Sequence, residues 1–131
     1  MEYADTVIAG AGSAGAVLAA RLTEDPSHRV ALVEAGPDYP TTASLPPDLA
    51  NGKRNAMTRH DWGLWHVPTR QQRFRFPFPR GKVVGGSSAV NTCIALRGQP
   101  GDYDEWASLG LKAWGYGQCL PYFKRLEHDL D

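Results

Sequence analysis

Two glycine-rich segments and one acid, Glu34, carry the residue types from which a nucleotide-binding site is built. The segments are Gly10-Ala11-Gly12-Ser13-Ala14-Gly15 and GKVVGGSSAVN (residues 81–91). Glycines let backbone N–H groups approach a pyrophosphate closely, and a carboxylate accepts hydrogen bonds from the hydroxyls of an adenosine ribose. These residues therefore indicate dinucleotide binding, and Glu34 disfavours NADP because its charge would repel a 2′-phosphate.

The elements around the first glycine segment must position this chemistry. Residues 3–9 contain a β-prone run that predicts a strand, and the apolar residues 14–22 predict a helix. A second strand is predicted over Arg29–Glu34, and its last residue lies 19 positions after Gly15, close to the spacing expected for a ribose-binding acid. Strand, glycine turn, helix and strand together predict a Rossmann-like βαβ unit in an α/β fold.

The second glycine segment offers polar side chains beside bare backbone. Gly85 and Gly86 are followed by Ser87 and Ser88, and Asn91 adds an amide that both donates and accepts hydrogen bonds. Such a surface suits a polar planar ring or a phosphate. Taken alone, a glycine-rich β-turn without a ligand is the alternative interpretation.

The two segments together resemble the beginning of the glucose–methanol–choline (GMC) family of flavin-dependent oxidoreductases. Residues 10–15 and 33–36 are similar to its FAD-binding start, and residues 81–104 match its first signature in spacing and residue type. Residues 102–106 and 120–124 resemble the segments that usually follow. The resemblance covers essentially the whole chain and implies the Rossmann-like, FAD-binding start of a GMC-type fold, incomplete at the C-terminus.

The resemblance also implies a set of cofactor-binding residues. The first glycine segment would hold the FAD pyrophosphate, Glu34 the adenosine ribose, and the second segment the ribityl chain and flavin ring. Trp62 resembles an aromatic position near the adenine or the flavin, with a place in the core as the alternative. The implied residues are Gly10, Gly12, Ser13, Ala14, Gly15, Glu34, Ala35, Trp62, Arg80, Val84, Gly86, Ser87, Asn91, Thr92, Cys93 and Ile94.

One departure from the family pattern concerns the attachment of the cofactor. Some relatives anchor FAD covalently through a histidine just before the signature asparagine, where this chain has Val90. Valine has no nucleophilic atom, so non-covalent FAD is expected. Cys93 either contacts the flavin or is a small buried residue, and the buried role is favoured.

The activity that the resemblance implies is oxidation of an alcohol CH–OH group by hydride transfer to the flavin, with a histidine as base. In the family that histidine, its neighbour and the substrate domain come later than residue 131. We therefore expect no catalytic residue here and a chain that is one piece of a longer or multi-chain protein. Four histidines are present and are expected to be structural or solvated: His28, His60, His66 and His128.

Three alternatives to an alcohol oxidase or dehydrogenase stay open. The missing base permits a non-catalytic nucleotide-binding module, and some relatives are FAD-containing lyases or decarboxylases. An NAD dehydrogenase is the third alternative, but residues 85–88 have no evident use in such a domain.

Composition and charge exclude several classes of protein. The chain is 42% hydrophobic and 21% charged, and its 14 basic residues balance 14 acidic ones, so bulk charge favours neither nucleic acid nor a membrane surface. No apolar run reaches membrane-spanning length and no signal sequence is evident, which predicts a cytoplasmic protein. Cysteine and histidine spacing predicts no metal site. The expected partners are FAD, a small alcohol and the rest of the protein.

The chain divides into three zones without internal repeats. Residues 1–36 form the βαβ unit, residues 37–80 are proline-rich and predicted to be irregular, and residues 81–131 hold the signature and two short helices. Basic and aromatic residues alternate over 73–78, which predicts a strand with one buried face in preference to an RNA-binding segment.

The two C-terminal helices have their own signals. The first is predicted over residues 102–109, capped by Asp102 with Glu105 as capping-box partner. The second is predicted over 118–127, with Pro121 in its first turn. Its apolar stripe would consist of Leu120, Phe123 and Leu126.

Overall fold

A parallel strand pair bridged by a helix begins the fold in the computed structural model, which describes residues 3–56 and 58–127. Strand β1 (Thr6–Ala9) leads into helix α1 (Ser13–Leu22), which returns to strand β2 (Val30–Val33). The two strands pair in parallel over their whole length. The predicted Rossmann-like βαβ start is therefore confirmed.

Glycine makes the turn between β1 and α1 possible. Gly10 adopts a φ of +96°, and its N–H donates to the Val33 carbonyl at 2.7 Å. A Cβ built on Gly15 would lie only 1.9 Å from the Gly10 carbonyl oxygen. Helix α1 can pack this closely on the turn because position 15 has no side chain.

The turn between α1 and β2 is held by short polar contacts. Asp25 Oδ1 accepts hydrogen bonds from the Ser27 N–H at 2.9 Å and from the Ser27 hydroxyl at 2.7 Å. Both bonds lower the pKa of Asp25. Thr6 Oγ1 and His28 Nε2 hydrogen-bond at 2.9 Å, which ties the start of β1 to the end of this turn.

The region between β2 and the second glycine segment is largely irregular, with one 3₁₀ turn at Thr42–Ser44. Strands β3 (Trp65–His66) and β4 (Phe76–Pro77) pair antiparallel over two residues each. The strand predicted over 73–78 is wrong in length and in its buried face, since Phe74 is 76% exposed. The partner strand is too short to extend the ladder or to provide a surface against which a face could be buried.

The buried core of residues 1–94, which form one compact unit, is small. Ala56, Val83 and Val90 are its centre, with Tyr39 and Leu49 packed against it. Val83 and Val90 flank the Gly-Gly-Ser-Ser sequence, and helix α2 (Ser87–Val90) contains the second of them. The second glycine segment is thus anchored from both ends by the core.

Residues 95–131 form the other compact unit. It contains helix α3 (Pro100–Ser108), a 3₁₀ turn at Lys112–Trp114 and helix α4 (Tyr116–Leu126). The Tyr103 ring of α3 packs edge-on against Phe123 of α4 at 5.4 Å between centroids, and against Trp106 of its own helix at 5.3 Å. Aromatic contact explains how so short a helical unit holds together.

The start of α3 differs from the prediction. The helix begins at Pro100, so Asp102 is its third residue and not its cap. Asp102 Oδ2 accepts the Gln99 N–H at 2.8 Å. Asp102 therefore has the capping-box role that the sequence suggested for Glu105, because proline favours the first helical position.

The start of α4 also lies earlier than predicted. Asp104 Oδ1 accepts the Tyr116 N–H at 3.0 Å and satisfies one of the free donors of the first turn. With the helix starting at Tyr116, Pro121 falls inside it and not in its first turn. Leu126, from the predicted apolar stripe, is 80% exposed.

The close packing at Gly15 leads to a first prediction. Gly15→Ala in the full-length protein should destabilise the fold by about 1–3 kcal/mol, because the new methyl group would collide with the Gly10 carbonyl. Thermal unfolding followed by circular dichroism measures this loss. Gly117→Ala is the matched control, since a Cβ at this helical glycine meets nothing within 4 Å. The control should be neutral or slightly stabilising, and an equal loss in both variants would contradict the packing argument.

The exposed apolar surface of the βαβ unit leads to a second prediction. Val7 and Val33 of the two-stranded sheet are 67% and 57% exposed, and Val17 of α1 is 56% exposed. A two-stranded sheet with so little covered surface is marginal. Residues 1–131 produced alone should therefore unfold without a sharp transition, and a cooperative calorimetric melt of that piece would refute this expectation.

Candidate cofactor-binding site

The two glycine segments lie against each other. Gly12 and Gly85 form an isolated parallel bridge, and the Gly85 N–H donates to the Ala11 carbonyl at 2.7 Å. The Ser13 hydroxyl donates to Ser88 Oγ at 2.9 Å. The two segments, about 70 positions apart in the sequence, thus form one continuous surface.

The contact between the segments requires glycine. Gly86 adopts a φ of +57°, in the left-handed region, and a Cβ built on it would lie 2.8 Å from the Gly12 Cα. A side chain at position 86 would push the segments apart as well as strain the backbone. The contact therefore depends on Gly86 in two ways.

A cleft of about 590 Å³ opens where the segments meet the ends of the strands. It is lined by Ala9, Gly10, Gly12, Val33, Glu34, Ala35, Trp62, Arg80, Gly81, Gly86 and Ser87. Among these, only Ala9, Val33 and Gly81 were absent from the predicted set. Ala9 and Val33 are the last residues of β1 and β2. Folds of this kind bind ligands at the carboxyl ends of parallel strands, so the predicted strand ends could have identified both residues.

Glu34 is fixed by two backbone groups. Its Oε2 accepts the Ala11 N–H at 2.8 Å and its Oε1 accepts the Gly36 N–H at 2.9 Å. The bond from Ala11, then that from Gly36, lowers the pKa of this carboxyl, and nearby Lys82 lowers it further. A carboxylate has about four lone-pair positions, so an ionised Glu34 can still accept from a ligand through both oxygens.

The N-terminus of α1 provides the cleft with hydrogen-bond donors. Gly12 is the N-cap and has no side chain to bond the free N–H groups of the first turn, and no acidic residue lies in that turn. Free donors together with the positive end of the helix dipole favour an anion. Arg80 adds a positive charge to the cleft, with its guanidinium 3.7 Å from the Phe78 ring centroid.

Several predicted residues lie outside the cleft lining: Ser13, Ala14, Gly15, Val84, Asn91, Thr92, Cys93 and Ile94. Asn91 Oδ1 accepts the Cys93 N–H at 2.7 Å and so shapes the chain beyond α2. Cys93 is exposed, so the favoured buried role is wrong. The bond to Asn91 and a φ of +54° at Cys93 form a tight turn in which the Cys93 side chain stays exposed.

The aromatic and histidine residues have definite places. Trp62 is 48% exposed and lines the cleft, so its alternative role as a core residue is wrong. His60 is buried and its Nε2 hydrogen-bonds the Tyr39 hydroxyl at 3.0 Å. His66 packs on the Phe78 ring at 5.0 Å between centroids. Like His28, these histidines make structural contacts, whereas His128 lies outside the described residues.

Within residues 3–56 and 58–127, His, Cys, Asp and Glu side chains form no group of three that could hold a metal ion. Over the same residues, no helix has the length and apolar character needed to cross a bilayer.

The cleft fits the parts of FAD. An ionised carboxylate suits ribose hydroxyls, an uncapped helix N-terminus beside Gly12 suits a pyrophosphate, and the glycine–serine surface suits a polar ring system. The segment contact at Gly86 creates this arrangement, because a Cβ there would fill the space between the segments.

Comparison with known proteins also points to a flavin-dependent family. Residues 4–131 match the GMC oxidoreductase family. The chain is 43% identical over 127 residues to an oxygen-dependent choline dehydrogenase from Rhizobium rhizogenes, covering 95% of this chain and 23% of the relative. It thus spans about a quarter of the length of the curated relatives that it matches.

Solved structures agree with the sequence comparison. Pyridoxine 4-oxidase from Mesorbium loti superposes with a TM-score of 0.77 at 35% identity, over 92% of this chain and 24% of that protein. A formate oxidase from Aspergillus oryzae RIB40, in a structure that concerns modification of its FAD, superposes with a TM-score of 0.73 at 31% identity. This match covers 90% of this chain and 21% of that protein. The chain therefore belongs to the GMC oxidoreductase family and corresponds to the FAD-binding N-terminal part of its members.

Proposed function

We propose that the complete protein is an FAD-dependent oxidoreductase that oxidises the CH–OH group of a small alcohol, and that this chain holds the cofactor. The observation that carries the proposal is the convergence of Glu34, the N-terminus of α1 and both glycine segments on one cleft. These three features match the three chemically distinct parts of FAD.

Each part of the cofactor has a proposed set of residues. Free N–H groups at the start of α1, with the bare backbone of Gly12, would hold the pyrophosphate. Glu34 would accept the ribose hydroxyls with the lone pairs that Ala11 and Gly36 leave free. The 81–91 segment would face the flavin. Non-covalent binding is proposed because Val90 has no nucleophilic atom and is buried in the core.

The chemistry divides between the cofactor and the protein. FAD supplies the two-electron redox step, and the residues of this chain bind and orient it. Among the described residues, no histidine lines the cleft. The base that takes the alcohol proton is therefore proposed to come from the rest of the protein.

The relatives support this substrate class without narrowing it. Choline and pyridoxine, in the names of two relatives, both contain alcohol groups, and formate, in the name of the third, does not. A cytoplasmic location is proposed on the sequence alone.

The complete protein provides the test of the proposal. Purified full-length protein should carry a flavin that acid precipitation releases, identified as FAD by mass spectrometry. Under anaerobic conditions a small alcohol such as choline or pyridoxine should bleach the oxidised flavin absorbance. Formate is the comparison substrate. Bleaching by formate and by none of a broad alcohol panel would contradict the proposal, and absence of FAD would contradict it entirely.

Glu34→Gln isolates the role proposed for the acid. The variant should raise the dissociation constant for FAD about tenfold or more in the full-length protein, because a charged acceptor is lost and an amide N–H₂ faces a backbone N–H. Fluorescence titration of the apoprotein with FAD measures the change. Glu24→Gln is the control, since Glu24 forms an exposed pair with Arg21. Equal affinity of the Glu34 variant and the wild type would remove Glu34 from the site.

The pKa of Glu34 gives a prediction on pH. Backbone hydrogen bonds hold its folded-state pKa below the ordinary value of 4.5. Its contribution to stability is therefore complete above about that value and is lost as the pH falls through the lower folded-state pKa. FAD retention should be constant from neutral pH to about the ordinary value and should fall in stronger acid. In the Glu34→Gln variant this loss of FAD in acid should be smaller. An unchanged loss would show that other groups cause it.

A further inference from the structure

A short backbone ladder joins the segment around Asp61 to the start of the second glycine segment. Asp61 pairs with Gly81 across an isolated antiparallel bridge. The Trp62 N–H donates to the Arg80 carbonyl at 3.0 Å. Trp62 and Arg80 both line the cleft, so this ladder determines how two cleft residues are placed relative to each other.

The Asp61 carboxylate adds two side-chain hydrogen bonds to this backbone ladder. Its Oδ1 accepts the Arg80 N–H at 2.7 Å, and its Oδ2 accepts the Gly63 N–H at 2.8 Å. These bonds, that from Arg80 first, lower the pKa of Asp61 and keep it ionised at neutral pH. Both carboxylate oxygens thus accept backbone N–H groups, one from the residue after Trp62 and one from Arg80, whose carbonyl accepts the Trp62 N–H.

Asp61 itself is not among the residues that line the cleft. The side chains at the two ends of this ladder are accessible to a ligand: the Trp62 ring is 48% exposed, and Arg80 is exposed, although its Nη1 also donates to the Pro79 carbonyl at 2.6 Å. Lys82 Nζ lies 4.9 Å from the Trp62 ring centroid, so the ring also makes a cation–π contact. A shift of the ladder would therefore move an aromatic face and a positive charge together.

We propose that Asp61 is a positioning residue for the cofactor: it fixes Trp62 and Arg80 at the cleft and so raises FAD affinity without touching FAD. The inference rests on the proposed function of the cleft. It goes further, because it assigns a role to a residue that no part of the nucleotide motif contains.

The contacts distinguish positioning from general support of the fold. The core centred on Ala56, Val83 and Val90 does not include Asp61. The backbone bonds between the two segments, including Lys82 N–H to the His60 carbonyl at 2.7 Å, are independent of its side chain. Asp61→Asn keeps the size and one acceptor but presents an N–H₂ group to a backbone N–H, so the expected disturbance is local.

The test compares Asp61→Asn with Asp25→Asn in the full-length protein. Asp25 also accepts two hydrogen bonds in a turn, on groups of Ser27 away from the cleft lining. Asp61→Asn should raise the FAD dissociation constant about tenfold, the change typical of losing a charge-assisted hydrogen bond. The control should stay within about twofold of wild type, while the unfolding temperatures of both apoproteins fall by similar amounts.

A double-mutant cycle tests whether Asp61 acts on FAD affinity through Trp62 and Arg80 or independently of them. In a protein that already carries Trp62→Ala and Arg80→Ala, Asp61→Asn should change FAD affinity little, because the residues through which it acts are absent. An undiminished effect in that background would overturn the positioning role. If Asp61→Asn does not fold, Asp61→Glu keeps both acceptors but displaces them, and it should weaken FAD binding in the same cycle.

The outcomes also separate this inference from the proposed function. Wild-type protein that binds FAD, with an Asp61→Asn variant of equal affinity, would overturn the role of Asp61 alone. Wild-type protein that binds no FAD would overturn both.

Discussion

The contact between two stretches of bare backbone is the constraint on which the rest of this structure depends. Gly12, at the start of α1, and Gly86, at the start of α2, approach so closely that a Cβ on the second would lie 2.8 Å from the Cα of the first. This approach joins the strand ends to the glycine–serine surface. Without it, Glu34 and Ser87 would not line one cleft.

Glu34, the residue that follows β2, is fixed by the backbone while it lines the cleft. Glu34 bonds the backbone of the first glycine segment through one oxygen and its own turn through the other. Its orientation is therefore set before any ligand arrives, which limits the conformational entropy that binding must remove. Because the same bonds lower its pKa, the charged form is present over the whole neutral range.

Local signals explain what the sequence could predict. The βαβ start was predictable because strand propensity, helix propensity and the roles of Gly10 and Gly15 all depend on near neighbours. The starts of α3 and α4 were misplaced because Gln99 and Asp104 compete with more obvious caps, and the Asp104 bond to Tyr116 spans two elements. The buried strand at 73–78 failed for a related reason: alternation states which residues could face a core, but not whether a partner surface exists.

The candidate site was partly predictable for the same reason. Motif residues such as Gly12 and Glu34 were found in the sequence, whereas the strand-end residues Ala9 and Val33 became evident only from the parallel pairing. The bond from Asp61 to the Arg80 N–H crosses 19 positions and belongs to no sequence pattern. Exposure of Cys93 follows from the backbone path after Asn91, which composition does not reveal.

The placement of Val83 and Val90 couples two properties that are usually separate. These two fully buried side chains stand at either end of the Gly-Gly-Ser-Ser surface and also make up most of the small core. The packing that keeps this unit folded is therefore the same packing that places the backbone of Gly86 and Ser87 in the cleft lining. Substitutions that repack this core to stabilise the protein would change the shape of the cleft as well, so stability and cleft geometry cannot be optimised independently.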